Sequence, residues 1–226
     1  MIKAVVFDMD HTLFDRYATI RKVMPAFCEA FDVAVSEEEA AELLCKYDRK
    51  LNIFGWPTVF KKLKDKGMFN TAPHFAQYAA FLYEHFTKIS VDYPFTIPTL
   101  QTLRDSGVKV GMITNGDHDI QAAKIENLGY GPYFDEIIIS GDCDFEKPEP
   151  EIFIEMAKRL GIQPQEMAYV GDHPVNDVDG AREAGCVPIW VKTYGIWIDD
   201  IEEAPYEVED ISFVPALLNK INQTEA

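Results

Sequence analysis

The chain has 226 residues, 47% of them hydrophobic, enough for one large domain or two modest ones with a packed core. Its 38 acidic side chains against 21 basic ones give a net charge of −17, which opposes binding to a nucleic acid polymer or an anionic membrane surface. An apolar strand begins almost at residue 1, no apolar run reaches membrane-spanning length, and Cys28, Cys45, Cys143 and Cys186 are scattered, so the expectation is a cytoplasmic protein with reduced, mostly buried thiols.

That first strand, Val5-Val6-Phe7, runs into Asp8-Met9-Asp10-His11-Thr12-Leu13. Two acids two residues apart on a strand share one face and repel each other. A bound cation is the ordinary remedy, and a nucleophile beside a second acid that handles protons is the ordinary use. Helical patterns follow over residues 18–31, 36–50, 59–66 and 73–89, with no strand signal between them. Ser36 with Glu39 reads as a capping box, and Phe75, Tyr78, Ala79, Leu82, Phe86 and Ile89 form an apolar stripe at helical spacing. These patterns predict a small all-helical unit over residues 16–93. It carries 11 basic and 10 acidic side chains, whereas the rest of the chain carries 10 and 28, so the two regions differ in character.

From residue 95 the rhythm alternates: helix 96–105, strand 108–113, helix 119–128, strand 136–139, helix 150–160, strand 167–170, helix 175–184, strand 188–191. This predicts an α/β, doubly wound parallel sheet with crossover helices, built from residues 1–15 and 94–226. Ligands collect at the carboxyl ends of such strands, where Asp8, Thr114 and Asp172 fall. Residues 199–210 read as a solvated acidic surface, and residues 213–221 as a short closing helix.

Four pieces thus lie at strand ends: Asp8-x-Asp10-x-Thr12, Thr114-Asn115-Gly116, Lys147 with Pro148, and Gly171-Asp172 followed by Asp177. Singly each is weak, since hydroxyls cap helices and Gly-Asp is a common turn. In this order and context the chain resembles the haloacid dehalogenase-like hydrolase superfamily, in the branch with a helical cap between the first two motifs. It is similar to the phosphatase-type members, such as phosphoglycolate phosphatases and pyrimidine nucleotidases.

The resemblance implies a Rossmann-like core and a Mg2+-dependent phosphatase acting on a small-molecule phosphomonoester. Asp8 becomes the nucleophile that forms an aspartyl-phosphate, and Asp10 the acid/base. Magnesium is held by the Asp8 carboxylate, the Asp10 main-chain carbonyl and the Asp172 carboxylate, with Asp177 behind them holding a water or orienting Lys147. The phosphoryl group meets the Asp8-Met9-Asp10 segment, Thr114, the amides of Asn115 and Gly116, and Lys147. His11 stands where many relatives carry glycine; His173 reads as a loop residue, and His74 and His85 as packing or surface residues. The retained Asp10 counts against dehalogenase and phosphonatase chemistry. A nucleotidase, a phosphomutase and a non-catalytic phospho-aspartate module remain alternatives, and the oligomeric state is open. Arg16, Arg21, Lys22, Phe54 and Trp56 are the candidates for substrate choice in the cap, with core packing an equal reading for Phe54 and Trp56.

Overall fold

The computed structural model describes residues 1–51, 54–193, 197–198 and 200–224. In chain order the elements are β1 (Ala4–Phe7), α1 (Arg16–Ala30), β2 (Asp32–Val33), α2 (Glu37–Leu51), α3 (Trp56–Asp65), β3 (Phe69–Thr71), α4 (Phe75–Phe86), α5 (Thr96–Asp105), β4 (Lys109–Thr114), α6 (His118–Asn127), β5 (Glu136–Ile139), α7 (Pro150–Arg159), β6 (Met167–Gly171), α8 (Gly180–Glu183), β7 (Val187–Val191), β8 (Tyr206–Val208) and α9 (Val214–Thr224). They form two compact units, Met1–Asp15 with Asp92–Ala226, and Arg16–Val91.

The larger unit is the doubly wound sheet, with strand order β5-β4-β1-β6-β7-β8 and every pairing parallel. All four residues of β1 are buried, as the uninterrupted Ala-Val-Val-Phe run requires of a strand covered on both faces. Val5 and Phe7 enter one core with Met112 and Val170, while Val6 enters the other with Phe153, Met156 and Tyr169. Gly111 keeps the second face close-packed, because a Cβ there would lie 3.0 Å from Met156 Sδ and 3.1 Å from Val6 Cγ2.

Two expectations for this unit change. The acidic stretch contains β8, which pairs with β7 and buries Val208, while Glu207 and Glu209 both bond Lys192 at 2.9 and 2.7 Å. Three residues among acids carry too little periodicity to read as a strand; Asp199 lies outside the described residues. The helix expected over 175–184 opens as a π-helical segment, Pro174–Asp179, before α8. Two of the four free thiols, Cys45 and Cys186, are buried, and Cys28 and Cys143 are half-buried.

The smaller unit is helical except for an antiparallel β2–β3 ribbon, which corrects the all-helical reading. Strands of two and three residues leave no alternation to detect, and the Asn70 side chain reinforces the pairing by donating to Asp32 Oδ1 (3.0 Å). The Glu39 N–H donates to Ser36 Oγ at 3.2 Å, as the cap signal implied. Phe27 is the aromatic centre, with Phe31, Tyr78 and Phe81 edge-on to it and Phe69 tilted against it. Beside this core lies a buried ion pair in which Arg16 Nε and Nη2 each donate to an Asp48 oxygen at 2.8 Å. Among the described residues no helix is long and apolar enough to cross a membrane.

Candidate active site

The strand order puts the carboxyl ends of β4, β1 and β6 side by side. Asp8 continues β1 by one residue, its N–H donating to the Val170 carbonyl (2.9 Å), so its carboxylate leaves the sheet beside β6. The chain then turns sharply. Leu13 N–H returns to the Met9 carbonyl at 2.9 Å, and His11 adopts φ 67°, the left-handed region that glycine occupies more freely than any other residue. The Met9 side chain is fully buried in the core, so only its main chain is left to meet a ligand.

Lys147, buried in the loop between β5 and α7 with a cis peptide to Pro148, donates to Asp8 Oδ1 at 2.6 Å and Asp177 Oδ1 at 2.7 Å. Its main chain is clamped by Asn115: Lys147 N–H donates to Asn115 Oδ1 (3.0 Å), and Asn115 Nδ2 donates to the Lys147 carbonyl (2.8 Å). Asp177 also accepts the His173 N–H at 2.9 Å. It can tuck there only because residue 171 is glycine, since a Cβ would lie 2.4 Å from the Asp177 carboxyl carbon. Tyr169 lies beneath, its ring centre 5.6 Å from Lys147 Nζ.

Asp8, Asp172 and Asp177 each offer an oxygen within 4.8 Å of the others. Three carboxylates around one ammonium leave excess negative charge, and the titration behaviour follows. Burial, opposed by Lys147 and reinforced by Asp177, pushes Asp8 up to about 7. Burial followed by the Asp8 and Asp177 charges drives Asp172 well above the usual carboxylate range. Burial alone would lower Lys147, but Asp177 and Asp8 outweigh it and hold the ammonium well above the ordinary lysine range. An all-oxygen donor set with surplus negative charge fits a hard divalent cation such as Mg2+. Asp172 is only partly buried, and its carbonyl is fixed by Trp190 Nε1 at 2.9 Å.

Thr114, the last residue of β4, is buried, and the Gln121 side-chain nitrogen lies against its hydroxyl. That nitrogen also reaches Asp10 Oδ2 and the Asn115 carbonyl, both at 3.1 Å. Lys124 Nζ contacts both Asp10 oxygens at 2.9 and 3.1 Å and donates to Gln121 Oε1 at 2.7 Å. The Gly116 amide, a candidate contact for a phosphoryl oxygen, donates to Ser140 Oγ at 3.1 Å. Gln121, Lys124, Tyr169, Trp190 and the Asn115 side chain are the residues that sequence reasoning missed.

The five cap candidates differ. Arg16 is buried and bound to Asp48, with its guanidinium 5.4 Å from the Phe86 ring centre, so in this structure it acts as a strut inside the smaller unit. Arg21 and Lys22 are exposed on α1. Phe54 is 65% exposed, so it does not fill the core, whereas Trp56 is half-buried edge-on to Phe86 at 6.3 Å. The histidines are local. His173 Nδ1 accepts the N–H groups of Val175 and Asn176 and its burial lowers its pKa; His74 caps α4; His85 stacks on Phe81 at 3.9 Å.

Residues 2–185 match the family described as haloacid dehalogenase-like hydrolase. The chain is 37% identical over 199 residues to a glyceraldehyde 3-phosphate phosphatase of Methanopyrus kandleri, covering 85% of this chain and 84% of that one. It is 28% identical to the N-acylneuraminate-9-phosphatase of Rattus norvegicus over 98% of this chain and 95% of the relative. Among solved structures it is similar to an HAD phosphatase from Thermococcus onnurineus, with TM-score 0.68, 30% identity, and 96% and 98% of the two chains covered.

Proposed function

The chain belongs to the haloacid dehalogenase-like hydrolase family, and from that premise we propose that it is a Mg2+-dependent phosphatase of a small phosphomonoester that works through an aspartyl-phosphate on Asp8. The observation that carries this reading is the charge imbalance at the strand ends: Asp8, Asp172 and Asp177 within 4.8 Å, served by Lys147. A phosphate dianion cannot approach such a cluster without a cation, and a carboxylate held in line at the end of β1 is placed to act as a nucleophile.

Magnesium, when bound by the Asp8 and Asp172 carboxylates and the Asp10 carbonyl, would offset this charge and polarise the phosphoryl oxygens. The protein's own groups do the rest. The Asp8 carboxylate attacks phosphorus; Asp10 gives a proton to the departing alkoxide and later takes one from the attacking water. Lys147 stabilises negative charge on the nucleophile and the transferring group, and the Thr114 hydroxyl donates to a phosphoryl oxygen. Asp177 holds Lys147 in place. Relatives named for glyceraldehyde 3-phosphate and N-acylneuraminate 9-phosphate favour a sugar-type phosphate over a nucleotide as substrate. The four free cysteines support a cytoplasmic setting.

The test is turnover of p-nitrophenyl phosphate and a panel of sugar phosphates with magnesium, alongside acid-quenched capture of phosphoprotein. Repeated turnover with an acid-stable acyl-phosphate lost in Asp8→Asn protein supports the reading. A single stoichiometric phosphorylation without turnover would replace it with a phospho-aspartate switch.

A further inference from the structure

Resting on the assignment of Asp8 and Asp10 above, the geometry points to Lys124 and Gln121 as a positioning pair: Lys124 fixes the Asp10 carboxylate, and Gln121 couples it to Thr114. Both lie on α6, three residues apart and therefore on one face, and each is only 3% exposed. A lysine buried on a core-facing stripe beside Ile125 is costly unless its charge has a partner, and Asp10 supplies one through both oxygens.

The hydrogen-bond inventory then fixes a direction. Lys124 can only donate, so the Gln121 carbonyl faces it, and the two Gln121 NH2 hydrogens are shared among Asp10, the Asn115 carbonyl and the Thr114 oxygen. Having accepted from Gln121, the Thr114 hydroxyl has its own proton directed elsewhere, available for a phosphoryl oxygen. Asp10 meanwhile accepts from Lys124 through both oxygens and from Gln121 through one, contacts that favour this rotamer over the others.

This placement matters most when the phosphoenzyme breaks down. Asp10 removes a proton from water, the water oxygen bonds to phosphorus, and the phosphorus–oxygen bond to Asp8 breaks. Its electron pair returns to the Asp8 carboxylate as inorganic phosphate leaves. With p-nitrophenyl phosphate the leaving group needs little proton donation, so misplacing Asp10 should slow breakdown far more than formation.

The experiment is rapid acid-quench of the full-length protein with p-nitrophenyl phosphate and magnesium, comparing wild type, Lys124→Met, Lys124→Arg and Gln121→Leu, with thermal unfolding of each. Lys124→Met is expected to lose on the order of tenfold to a hundredfold in kcat, the scale of a displaced catalytic group. Phosphoenzyme should accumulate, the half-saturating magnesium concentration should stay within about twofold, and Lys124→Arg should restore most of the rate. Gln121→Leu, which keeps Lys124, is expected to raise the inhibition constant of inorganic phosphate several-fold. If Lys124→Met does not fold, the Lys124→Arg rate and the Gln121→Leu phosphate constant decide. A fall in kcat without phosphoenzyme build-up, a folded Lys124→Arg as slow as Lys124→Met, or an unchanged phosphate constant in Gln121→Leu overturns the pair. Turnover surviving in Asp8→Asn protein instead overturns the nucleophile assignment.

Discussion

Each unit of the molecule buries ionic side chains, and the two arrangements differ in balance. In the helical unit the Arg16 guanidinium meets the Asp48 carboxylate through two side-chain bonds, one from Nε and one from Nη2, so each charge faces an opposite one. In the sheet unit Lys147 faces Asp8 and Asp177, with Asp172 beside them, and the surplus charge has no protein counterpart within that cluster. A balanced buried pair is a structural element that an apolar pair of the same shape can replace. An unbalanced cluster is a candidate binding site, since a cation bound there would offset the charge that the protein leaves uncompensated.

The sharpest way to break this contrast is Asp8→Asn. Turnover should fall to background while the cation-free protein unfolds at an equal or higher temperature, because one repelling charge has gone; a clear drop in Tm would mean that Asp8 is needed for the fold. Next, activity should vanish in excess chelator and return with magnesium, and magnesium should raise the Tm of the wild type more than that of Asp8→Asn. Full activity in chelator would remove the cation from the scheme.

For the balanced pair, Asp48→Ala should destabilise by about 3–5 kcal/mol, the usual loss when one member of a buried pair is removed, and denaturant unfolding measures it. Arg16→Met with Asp48→Leu should recover most of that loss. Smaller again, Phe54→Ala should change stability by less than about 0.5 kcal/mol, as expected of an exposed side chain. If Phe54 takes part in substrate choice, the same variant will shift relative kcat/KM among phosphomonoesters; unchanged ratios would leave the choice to Arg21, Lys22 or Trp56. The smallest effect concerns His118, whose Nδ1 lies 2.8 Å from Asp142 on the exposed start of α6. The Asp142 hydrogen bond and charge raise its pKa above 6.5, so the contact stabilises the protein fully below that value and is lost as pH rises through the raised one. Asp142→Asn should return the NMR titration midpoint toward 6.5.

The strand ends were legible because chemistry and periodicity coincide there: an apolar run stops, and an acid or hydroxyl follows, at Asp8, Thr114 and Asp172 alike. Elements of two or three residues were not legible. β2, β3 and β8 are held by partners far away in the chain, and local sequence cannot report a partner. Gln121 and Lys124 left a faint trace, two polar residues on the stripe that carries Ile125 and Leu128, but a helix surface tolerates glutamine and lysine so readily that the interruption drew no attention. The clamp of Asn115 on Lys147 joins residues whose proximity only the folded loop creates. The Arg16–Asp48 pair was not legible either, because Asp48 sits on another helix.

The central position of β1 also governs how the chain must be made. Ala4 pairs with Lys109 on one side and Met167 on the other, so this apolar strand leaves the ribosome well before either neighbour exists. At about 5–20 residues per second, roughly 5–20 s pass before β4 emerges and roughly 8–33 s before β6 does. The intervening helical unit is complete within that interval and can fold on local contacts, while β1 waits unpaired. Nascent chains stalled before residue 109 should therefore hold the strand within reach of chaperones, with Asp8 already synthesised and neither neighbouring strand yet built beside it.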